Sequence, residues 1–543
     1  MTAHPDRTVL RGGTVVDGTG GDAREADVEI LGDRIGVIGD IPAQEGDDVV
    51  DCRGRLVMPG FIDAHAHADG AVFRSDVQLA LLRQGVTTVI GGQDGVSYAP
   101  GDGVWASRYF AAINGTHPTY AGGGVAELLG TYDGTTPLNV GYLVPAGTVR
   151  HEVMGMATGR ADAAQLTRMQ RLVADGLDAG ALGLSTGLDY VPGIFADADE
   201  LAQLCAPLAP ADALYVTHMR GGYETNTAAG LQEVVAICAP GAAHDGVRGH
   251  VSHLHVDADD AERLLTEAAA SGADLSFDMY PYTRGCTLVS MAVLPPEYSA
   301  MDVDDAIARL SDPAQRARLR DEWFPTVAHK PSLGPDWASM IRVGHTPAKD
   351  WAWAPGRTLA EIADRRQTSV EEATLDLLVA GRMEVNAVMA VRDERPVDNL
   401  AQLFAHPGHT GGSDGIFIGA VPHPRAWGAF GRFLGTYVGR SFTWEGAAVH
   451  LAARAAERFG LADRGMLRPG AAADVAIVDP AAVTDAATYD DPQQPVRGID
   501  DVFVNGTHVL RGGGLTGVLA GRGLRRSNQT APLSRTAAPA GTS

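Results

Sequence analysis

Lysine is nearly absent from this sequence of 543 residues. Of its 43 basic residues, only Lys330 and Lys349 are lysines, and all the others are arginines. Biased codon usage accounts for such a preference, but the preference also has a chemical consequence. Any catalytic or binding role that requires a lysine amine is restricted to two positions, and no lysine precedes residue 330.

Cysteine, net positive charge and long apolar runs are also lacking. The four cysteines are scattered without C-x-x-C spacing, which disfavours a disulfide framework or a cysteine-type zinc site. The net charge of −24 argues against nucleic acid or a membrane surface as a partner, because both attract basic patches. No stretch approaches the roughly 18 apolar residues of a membrane span, and the N-terminus, MTAHPDRTVL, lacks a signal-peptide pattern. We therefore expect a cytoplasmic protein.

Both ends of the chain have the pattern of short strands. Residues 8–57 contain alternating apolar segments separated by Gly/Asp turns, and a matching texture returns at 470–480 and 498–513. A chain of this length is too long for one compact core. We therefore predict a small β-sandwich built from both termini, with residues 1–57 as one part and residues 466–522 as the other.

Residues 58–465 have a different texture. Apolar runs such as GVTTVIGG, ALYVTHMRGG and HTGGSDG end in small or polar residues and alternate with helical stretches. This alternation indicates βα units, and their number favours a closed (β/α)8 barrel of the TIM type over an open sheet. Segment 287–350 breaks the rhythm, and we interpret it as an insertion, either a lid or a plain surface excursion. Residues 523–543 are poor in apolar side chains, so we expect a disordered tail.

Two histidines follow the first strand of the predicted barrel. His65 and His67 lie in PGFIDAHAHADG, directly after an apolar run. Positions i and i+2 of a strand face the same side, so both imidazoles point into one end of the barrel. Imidazole suits Zn²⁺ and related divalent ions. An isolated H-x-H is a weak signal, but the strand context makes this one a candidate metal site.

Further candidate ligands lie where a barrel places active-site residues, at the carboxyl ends of later strands. His218 ends ALYVTH, His253 ends GHVSH, and Asp414 lies in HTGGSDG. Each alone is more often an ordinary polar or capping residue. Because a metal needs convergent ligands from separate strands, their joint occurrence at successive strand ends favours a metal site.

At this point the sequence resembles a known family. The H-x-H pair with the later histidines and aspartate resembles the amidohydrolase superfamily. GLSTGLDYVPG, THMRGG, SHLH, DMYPYTRG and HPRAWGAFGRFLGTYV are similar to motifs of its D-aminoacylase branch, the N-acyl-D-amino-acid deacylases. The similar motifs extend from about residue 57 to residue 520. The resemblance implies a tight zinc on His218 and His253 and a weaker H-x-H site on His65 and His67.

The resemblance also implies roles for three other residues. Asp414 would be the catalytic acid and base, and Tyr280 and Arg425 would contact the substrate. The fork of an arginine fits a substrate carboxylate bidentately, although a packing or ion-pair role near the barrel rim is the alternative for Arg425.

The sequence departs from the branch at an expected metal ligand. Members commonly carry Asn-Cys-Gly-x-Ser after the second strand, whereas this chain reads GQDGVS and has Asp94 in place of the cysteine. A carboxylate is a harder donor than a thiolate and can bridge two ions. We therefore expect one or two Zn²⁺ ions, with Mn²⁺ or Fe²⁺ as alternatives, unless Asp94 is only a turn residue. The carboxylated lysine that bridges two metals in many amidohydrolases is excluded, because the first lysine is Lys330.

Three further departures concern the substrate. The lysine that follows the S-H-x motif in the family is His255 here, the serine of YPYxAGS is Cys286, and the preceding alanine is Arg284. A permanent cation is thus replaced by a group that titrates near neutrality. Arg284 would restore the charge if it points inward, and would be a surface residue if it points outward.

These features predict a metal-dependent hydrolase that cleaves the amide bond of an N-acyl-D-amino acid or a related N-acylated carboxylate. The substrate-site departures keep a cyclic amide or imide hydrolase, or another metal-dependent reaction on the same fold, as an alternative. A non-catalytic binding relative is a third hypothesis. The expected partner is a small N-acylated molecule, and the oligomeric state is left open.

Overall fold

A computed structural model of the chain describes residues 7–526, apart from residues 43, 223, 242, 331–332 and 393. The strands are β1 Arg7–Val15, β2 Arg24–Leu31, β3 Arg34–Gly39, β4 Asp48–Asp51, β5 Leu56–Pro59, β6 Phe61–Asp63, β7 Ala66–His67, β8 Val86–Gly91, β9 Asn139–Pro145, β10 Gly183–Gly187, β11 Leu214–His218, β12 Arg248–Val251, β13 Leu275–Met279, β14 Gly285–Leu288, β15 Ile341–His345, β16 Asn386–Met389, β17 His409–Gly411, β18 Gly415–Ile416, β19 Val475–Val478, β20 Ile499–Val504, β21 Thr507–Arg511 and β22 Gly514–Leu515.

The α-helices follow the same chain order. They are α1 Ser75–Leu82, α2 Val104–Tyr109, α3 Ala111–Asn114, α4 Val125–Gly130, α5 Ala146–Met154, α6 Ala163–Asp178, α7 Ala198–Leu204, α8 Leu208–Ala211, α9 Thr227–Cys238, α10 Ala258–Ala270, α11 Val289–Val293, α12 Pro296–Ser299, α13 Val303–Ser311, α14 Pro313–Arg318, α15 Phe324–Val327, α16 Trp337–Met340, α17 Leu359–Arg366, α18 Val370–Ala380, α19 Val397–Ala405, α20 Arg425–Arg432, α21 Trp444–Ala448 and α22 Arg454–Arg458.

Eight parallel strands form the central barrel. Their order is β6, β8, β9, β10, β11, β12, β13 and β17, and the amide of Ala64 donates to the carbonyl of Gly411 at 3.1 Å, which joins the two end strands. The strands are almost continuously buried, as in β8 and β9, because helices cover the outside of the barrel and side chains fill its interior. The predicted (β/α)8 architecture is confirmed.

Helix α6 illustrates how the outer layer is specified. It begins after Asp162, whose side chain accepts from the amide of Gln165 in a reciprocal capping box. Met169, Val173 and Leu177 are buried at four-residue spacing, which places them on one face of the helix, towards the barrel.

The two ends of the chain join in one nine-stranded sheet. Strand β5 from the N-terminal part pairs antiparallel with β19 from the C-terminal part, in a register that sets Val57 opposite Ile477. Side chains from both parts, including Val28, Val57 and Phe503, share one apolar cluster. The predicted small sandwich built from both termini is therefore present.

Between β13 and β17 the chain builds a second unit. Strands β14, β16 and β15 form an antiparallel sheet of three strands, and helices α11, α16 and α17 pack against it. Its separate apolar core extends from Val289 to Ala387. The interruption expected at 287–350 is therefore only the first part of a longer unit. Helices α17 and α18 lie beyond residue 350, so the sequence pattern assigned them to the barrel. Their buried side chains instead belong to this second core.

The end of the described chain packs against the barrel. The amide of Leu524 donates to the carbonyl of Val140 at 2.8 Å, and the Leu524 side chain is buried. Residues 523–526 are therefore ordered by contact with the barrel, whereas a disordered tail was expected to begin at 523. The rest of that expected tail, 527–543, lies outside the described residues. Among the helices that the structure describes, none is long and apolar enough to cross a membrane.

Candidate metal centre

The carboxyl ends of the barrel strands bring the predicted site residues together. The H-x-H pair follows β6, Asp94 follows β8, His218 ends β11, His253 follows β12, and Asp414 follows β17. All of them are at most 9% exposed. This convergence has a simple cause, because parallel strands of a barrel all end on the same face.

His65 and His67 face two carboxylates. The Nε2 atom of His67 lies 3.3 Å from Asp414 Oδ1 and 3.6 Å from Asp94 Oδ2. The Nε2 atom of His65 lies 3.7 Å from Asp94 Oδ1 and 3.7 Å from Asp414 Oδ1. On the opposite side of its ring, His67 Nδ1 lies 2.9 Å from the side-chain oxygen of Asn114. Asn114 thus orients the ring so that Nε2 points at the carboxylates.

Asp94 lies between the two histidine pairs. Its Oδ1 faces His65, while its Oδ2 lies 3.6 Å from His67 Nε2 and 3.8 Å from His218 Nδ1. The backbone of Asp94 is left-handed, with φ of 55°, and flanking glycines at positions 92 and 95 share this sign. Left-handed backbone in a non-glycine residue costs of order 1 kcal/mol and persists where the surroundings require it. The tight turn after β8 therefore aims the carboxylate into the barrel mouth.

His218 and His253 form the second pair. The distance from His218 Nδ1 to His253 Nε2 is 3.2 Å, and His218 Nε2 lies 3.2 Å from Asp189 Oδ2. The backbone amide of His253 donates to Asp278 Oδ1 at 2.9 Å. The Asp189 carboxylate thus lies behind the His218 ring, the arrangement that orients a metal-binding imidazole, whereas Asp278 fixes the backbone of His253.

Sequence reasoning did not single out these two supporting aspartates. Asp278 also places its Oδ2 3.4 Å from His65 Nδ1 and 3.1 Å from His250 Nε2. Its position within DMYPY, at the end of a strand, was a usable signal. The sequence signal for Asp189 was weaker, because this residue follows β10 in a loop, where an aspartate is commonly a turn residue.

Charges within the site shift one another's pKa. Burial opposes ionisation of Asp414, but the adjacent Arg425 guanidinium and the neighbouring histidines together outweigh burial and hold the pKa of this carboxyl well below its usual range. Burial opposes protonation of His67, yet contacts with Asp414 and Asp94 outweigh it and raise its pKa to about 10. Burial lowers the pKa of His253 to about 4, which keeps the ring in the neutral form that binds metals. The site therefore has buried anionic charge and attracts cations.

The donor set fits a divalent metal ion. In the part of the chain that the structure describes, both ring nitrogens of His65 and the Oδ1 atom of Asp94 are buried without a hydrogen-bond partner. Buried polar atoms normally have partners, so these atoms point to a missing one. Two groups of donor atoms within 4.8 Å of one another share His65: one adds His67 and Asp414, and the other adds Asp94 and His253. Nitrogen and oxygen donors of this kind bind Zn²⁺ and neighbouring ions.

Arg425 and Tyr280 form the wall beside Asp414. A terminal nitrogen of Arg425 lies 2.7 Å from Asp414 Oδ2, and its guanidinium carbon lies 4.3 Å from the centre of the Tyr280 ring. The Arg425 side chain is 0% exposed. Within the described residues none of its three guanidinium nitrogens meets an acceptor in hydrogen-bond geometry. Apart from its ion pair, the guanidinium therefore retains its capacity to bind an anion.

The three departures from the family pattern lie at different depths. His255 Nε2 lies 2.5 Å from the Tyr280 hydroxyl. Cys286 is partly buried, and burial raises the pKa of its thiol to about 12. Arg284 points outward: its guanidinium stacks 4.1 Å from the Tyr489 ring centre, and its side chain is 31% exposed. Of the two orientations considered for Arg284, the structure therefore has the rim orientation, because Tyr489 provides an aromatic face there.

Comparisons with known proteins agree with this geometry. Residues 48–510 match the amidohydrolase family. The chain is 34% identical over 513 residues to an N-acyl-D-glutamate deacylase of Alcaligenes xylosoxydans xylosoxydans, covering 92% of this chain and 93% of the relative. It is 32% identical to a D-aminoacylase of the same organism, covering 97% of this chain and 99% of the relative.

A solved structure is similar over the same length. The crystal structure of N-acyl-D-glutamate deacylase from Bordetella bronchiseptica, complexed with zinc and a phosphonate inhibitor, superposes with a TM-score of 0.78 at 30% identity. The superposition covers 96% of this chain and 100% of that one. With its barrel, its convergent histidines and aspartates, and relatives matched over nearly their full length, the chain belongs to the D-aminoacylase branch of the amidohydrolase family.

Proposed function

We propose that this protein is a metal-dependent hydrolase that cleaves the amide bond of an N-acyl-D-amino acid or a related N-acylated carboxylate. The observation that carries the proposal is the juxtaposition of an anionic histidine–aspartate cluster with a buried arginine across Asp414. The relatives named above support the same reaction class.

The cluster would hold one or two Zn²⁺ ions, with Mn²⁺ or Fe²⁺ as alternatives. His65, His67, His218 and His253 supply nitrogen donors. Asp94 lies between the two pairs: both of its oxygens face the H-x-H pair, and Oδ2 also faces His218. When bound, such an ion supplies a Lewis acid that polarises a carbonyl group and activates water. The protein fixes the donor positions through Asn114 and the aspartates behind the histidines.

Asp414 would act as the general base and then as the general acid. Its Oδ2 is paired with Arg425, while its Oδ1 faces the H-x-H pair. Because Arg425 and the neighbouring histidines keep the carboxyl ionised at neutral pH, Oδ1 can take a proton from water. The same atom would deliver the proton to the departing amide nitrogen.

Arg425 and Tyr280 would bind the carboxylate of the substrate. A buried guanidinium with unused donors fits a carboxylate bidentately. The Tyr280 hydroxyl provides a further polar group on the same wall. Together they would fix the amide nitrogen of the substrate in position relative to Asp414.

We also propose a cytoplasmic protein without nucleic-acid or membrane partners. The four cysteines (Cys52, Cys205, Cys238 and Cys286) are all free thiols, which is compatible with a reducing compartment. The net charge of −24 disfavours binding to nucleic acid and to anionic membrane surfaces.

A substrate panel tests the proposed reaction. The holoenzyme is assayed with N-acetyl-D-amino acids, their L enantiomers and cyclic imides, and hydrolysis of the D series is expected. Asp414→Asn should lose at least about 10²-fold in kcat, since general acid–base catalysis contributes about 10²–10⁴-fold. The matched control is Asp398→Asn, at a residue 90% exposed on its side chain, and it should retain activity. Preference for a ring substrate, or equal turnover by Asp414→Asn, would contradict the proposal.

A further inference from the structure

A chain of three polar side chains crosses from the inserted unit into the site. A terminal nitrogen of Arg395 lies 2.8 Å from His255 Nδ1, and His255 Nε2 lies 2.5 Å from the Tyr280 hydroxyl. The other terminal nitrogen of Arg395 donates to the backbone carbonyl of Val256. Arg395 therefore bonds both the histidine ring and the backbone next to it.

Because arginine can only donate, it fixes the donor and the acceptor in both hydrogen bonds of the Arg395–His255–Tyr280 series. A guanidinium has donors and no acceptor, so His255 Nδ1 must present its lone pair to Arg395. The proton of the ring then resides on Nε2, which donates to the oxygen of Tyr280. Because the Tyr280 oxygen accepts this bond, its own O–H is directed elsewhere.

The surroundings of Tyr280 restrict where that O–H can point. The ring is 2% exposed and is held on one face by the guanidinium of Arg425, at 4.3 Å from the ring centre. Since the histidine occupies the acceptor side of the hydroxyl, the hydroxyl remains a donor towards the site. Without Arg395, His255 could carry its proton on Nδ1, and Nε2 would then accept the Tyr280 proton instead.

Arg395 lies in a connecting segment that the barrel alone does not require. It follows β16, the last strand of the inserted unit, and precedes α19. It is separated from His255 by 140 positions. Arg395 therefore links the end of the inserted unit to the catalytic face.

We propose that Arg395 is a positioning residue that fixes the tautomer of His255, so that Tyr280 is held as a hydrogen-bond donor to the substrate. This role rests on the proposed function only in its last step, the contact of Tyr280 with substrate. The chain of bonds itself is independent of which substrate is hydrolysed.

The tautomer can be observed directly by ¹⁵N NMR of the histidine-labelled holoenzyme. The signals of His255 are assigned by their loss in His255→Gln. We expect a pyridine-type shift for Nδ1 and a pyrrole-type shift for Nε2, and a mixture of the two tautomers in Arg395→Met. A pyrrole-type Nδ1 in the unmodified protein would overturn the proposal, whatever the enzyme hydrolyses.

Kinetics test the consequence for the substrate. Tyr280→Phe should reduce kcat/KM about 10–100-fold, as expected for loss of a hydrogen bond to a charged group. Arg395→Met should lose about tenfold in kcat/KM by releasing the same donor. In the Tyr280→Phe background, Arg395→Met should cost less than about twofold more, because residues that act through one another are not additive.

A matched control lies three positions away. Arg392 donates to the carbonyl of Leu333 at 3.0 Å and pairs with Asp336, so it anchors the same segment without reaching His255. Arg392→Met should leave the tautomer and kcat/KM unchanged. If Arg395→Met lost the same factor in both backgrounds, or if Arg392→Met matched its effect, Arg395 would be a structural anchor and the proposal would fail. If no N-acyl-D-amino acid were hydrolysed, the proposed function would fail while the NMR result still decided the tautomer.

Discussion

Replacing Asp94 by asparagine tests the feature that most distinguishes this site. The substitution preserves the shape of the side chain but removes one negative charge from the space between the histidine pairs. The Asp94 oxygens lie 3.6 to 3.8 Å from three imidazole nitrogens, so any ion bound there would be within direct reach. Two unit charges about 4 Å apart interact by about 4 kcal/mol at an effective dielectric constant of about 20.

This energy sets the scale of the expected effect. About 4 kcal/mol corresponds to about three decades in a dissociation constant, and the amide oxygen of asparagine retains part of the interaction. We therefore expect Asp94→Asn to weaken metal binding about 10²–10³-fold. Loss of the bridge should affect both ions, so the stoichiometry should fall if the unmodified protein binds two.

The assay is metal titration of the apo protein in buffers of defined free Zn²⁺, with total metal measured by mass spectrometry. Asp94→Cys tests donor hardness, since a thiolate should keep Zn²⁺ and disfavour Mn²⁺. Asp102→Asn is a control on the same connection, because Asp102 is exposed and caps the amide of Val104. Circular dichroism confirms that each variant is folded. Unchanged affinity and stoichiometry in Asp94→Asn would show that Asp94 is a turn residue and not a ligand.

Three other outcomes follow from the described contacts. Asp278→Asn removes the carboxylate behind the histidines and should weaken metal binding about 10–100-fold in a chelator competition; unchanged affinity would contradict its supporting role. Arg425→Met removes a cation that lowers the pKa of Asp414, so this pKa should rise. The acidic limb of the pH–kcat/KM profile should then move to higher pH, and an unchanged limb would refute the role of Arg425. Asp474→Ala breaks a buried ion pair with Arg464 and should lower the free energy of unfolding, measured by urea titration, by about 3–5 kcal/mol. A change below about 1 kcal/mol would show that the ion pair is dispensable for stability.

The amino-acid sequence determined the architecture and the ligand types of the site. Alternating strand and helix patterns are local properties, set by period and by turn residues, and they were sufficient to predict the barrel and the pairing of the termini. The positions of His65, His67, His218, His253 and Asp414 at strand ends were also readable. Because a closed parallel barrel presents all its strand ends on one face, placing these residues on strands was enough to predict that they meet.

Only the tertiary structure decided the contacts between distant segments. Arg395 and His255 are 140 positions apart, and no local pattern encodes their meeting. Arg284 turns outward because Tyr489, from the C-terminal part of the chain, offers it an aromatic face at the rim. The extent of the inserted unit was likewise not readable, since a helix that covers a barrel and a helix that covers a second core have the same amphipathic pattern.

The same distinction applies to the metal site. The chain itself determines that Asp94 stands where the family has a cysteine, and that no lysine is available to bridge two ions. Which atoms the Asp94 carboxylate faces depends on the left-handed turn after β8 and on the closure of the barrel, which brings His218 within 3.8 Å. Residue identity sets the chemistry that is available, and packing sets which of those groups act together.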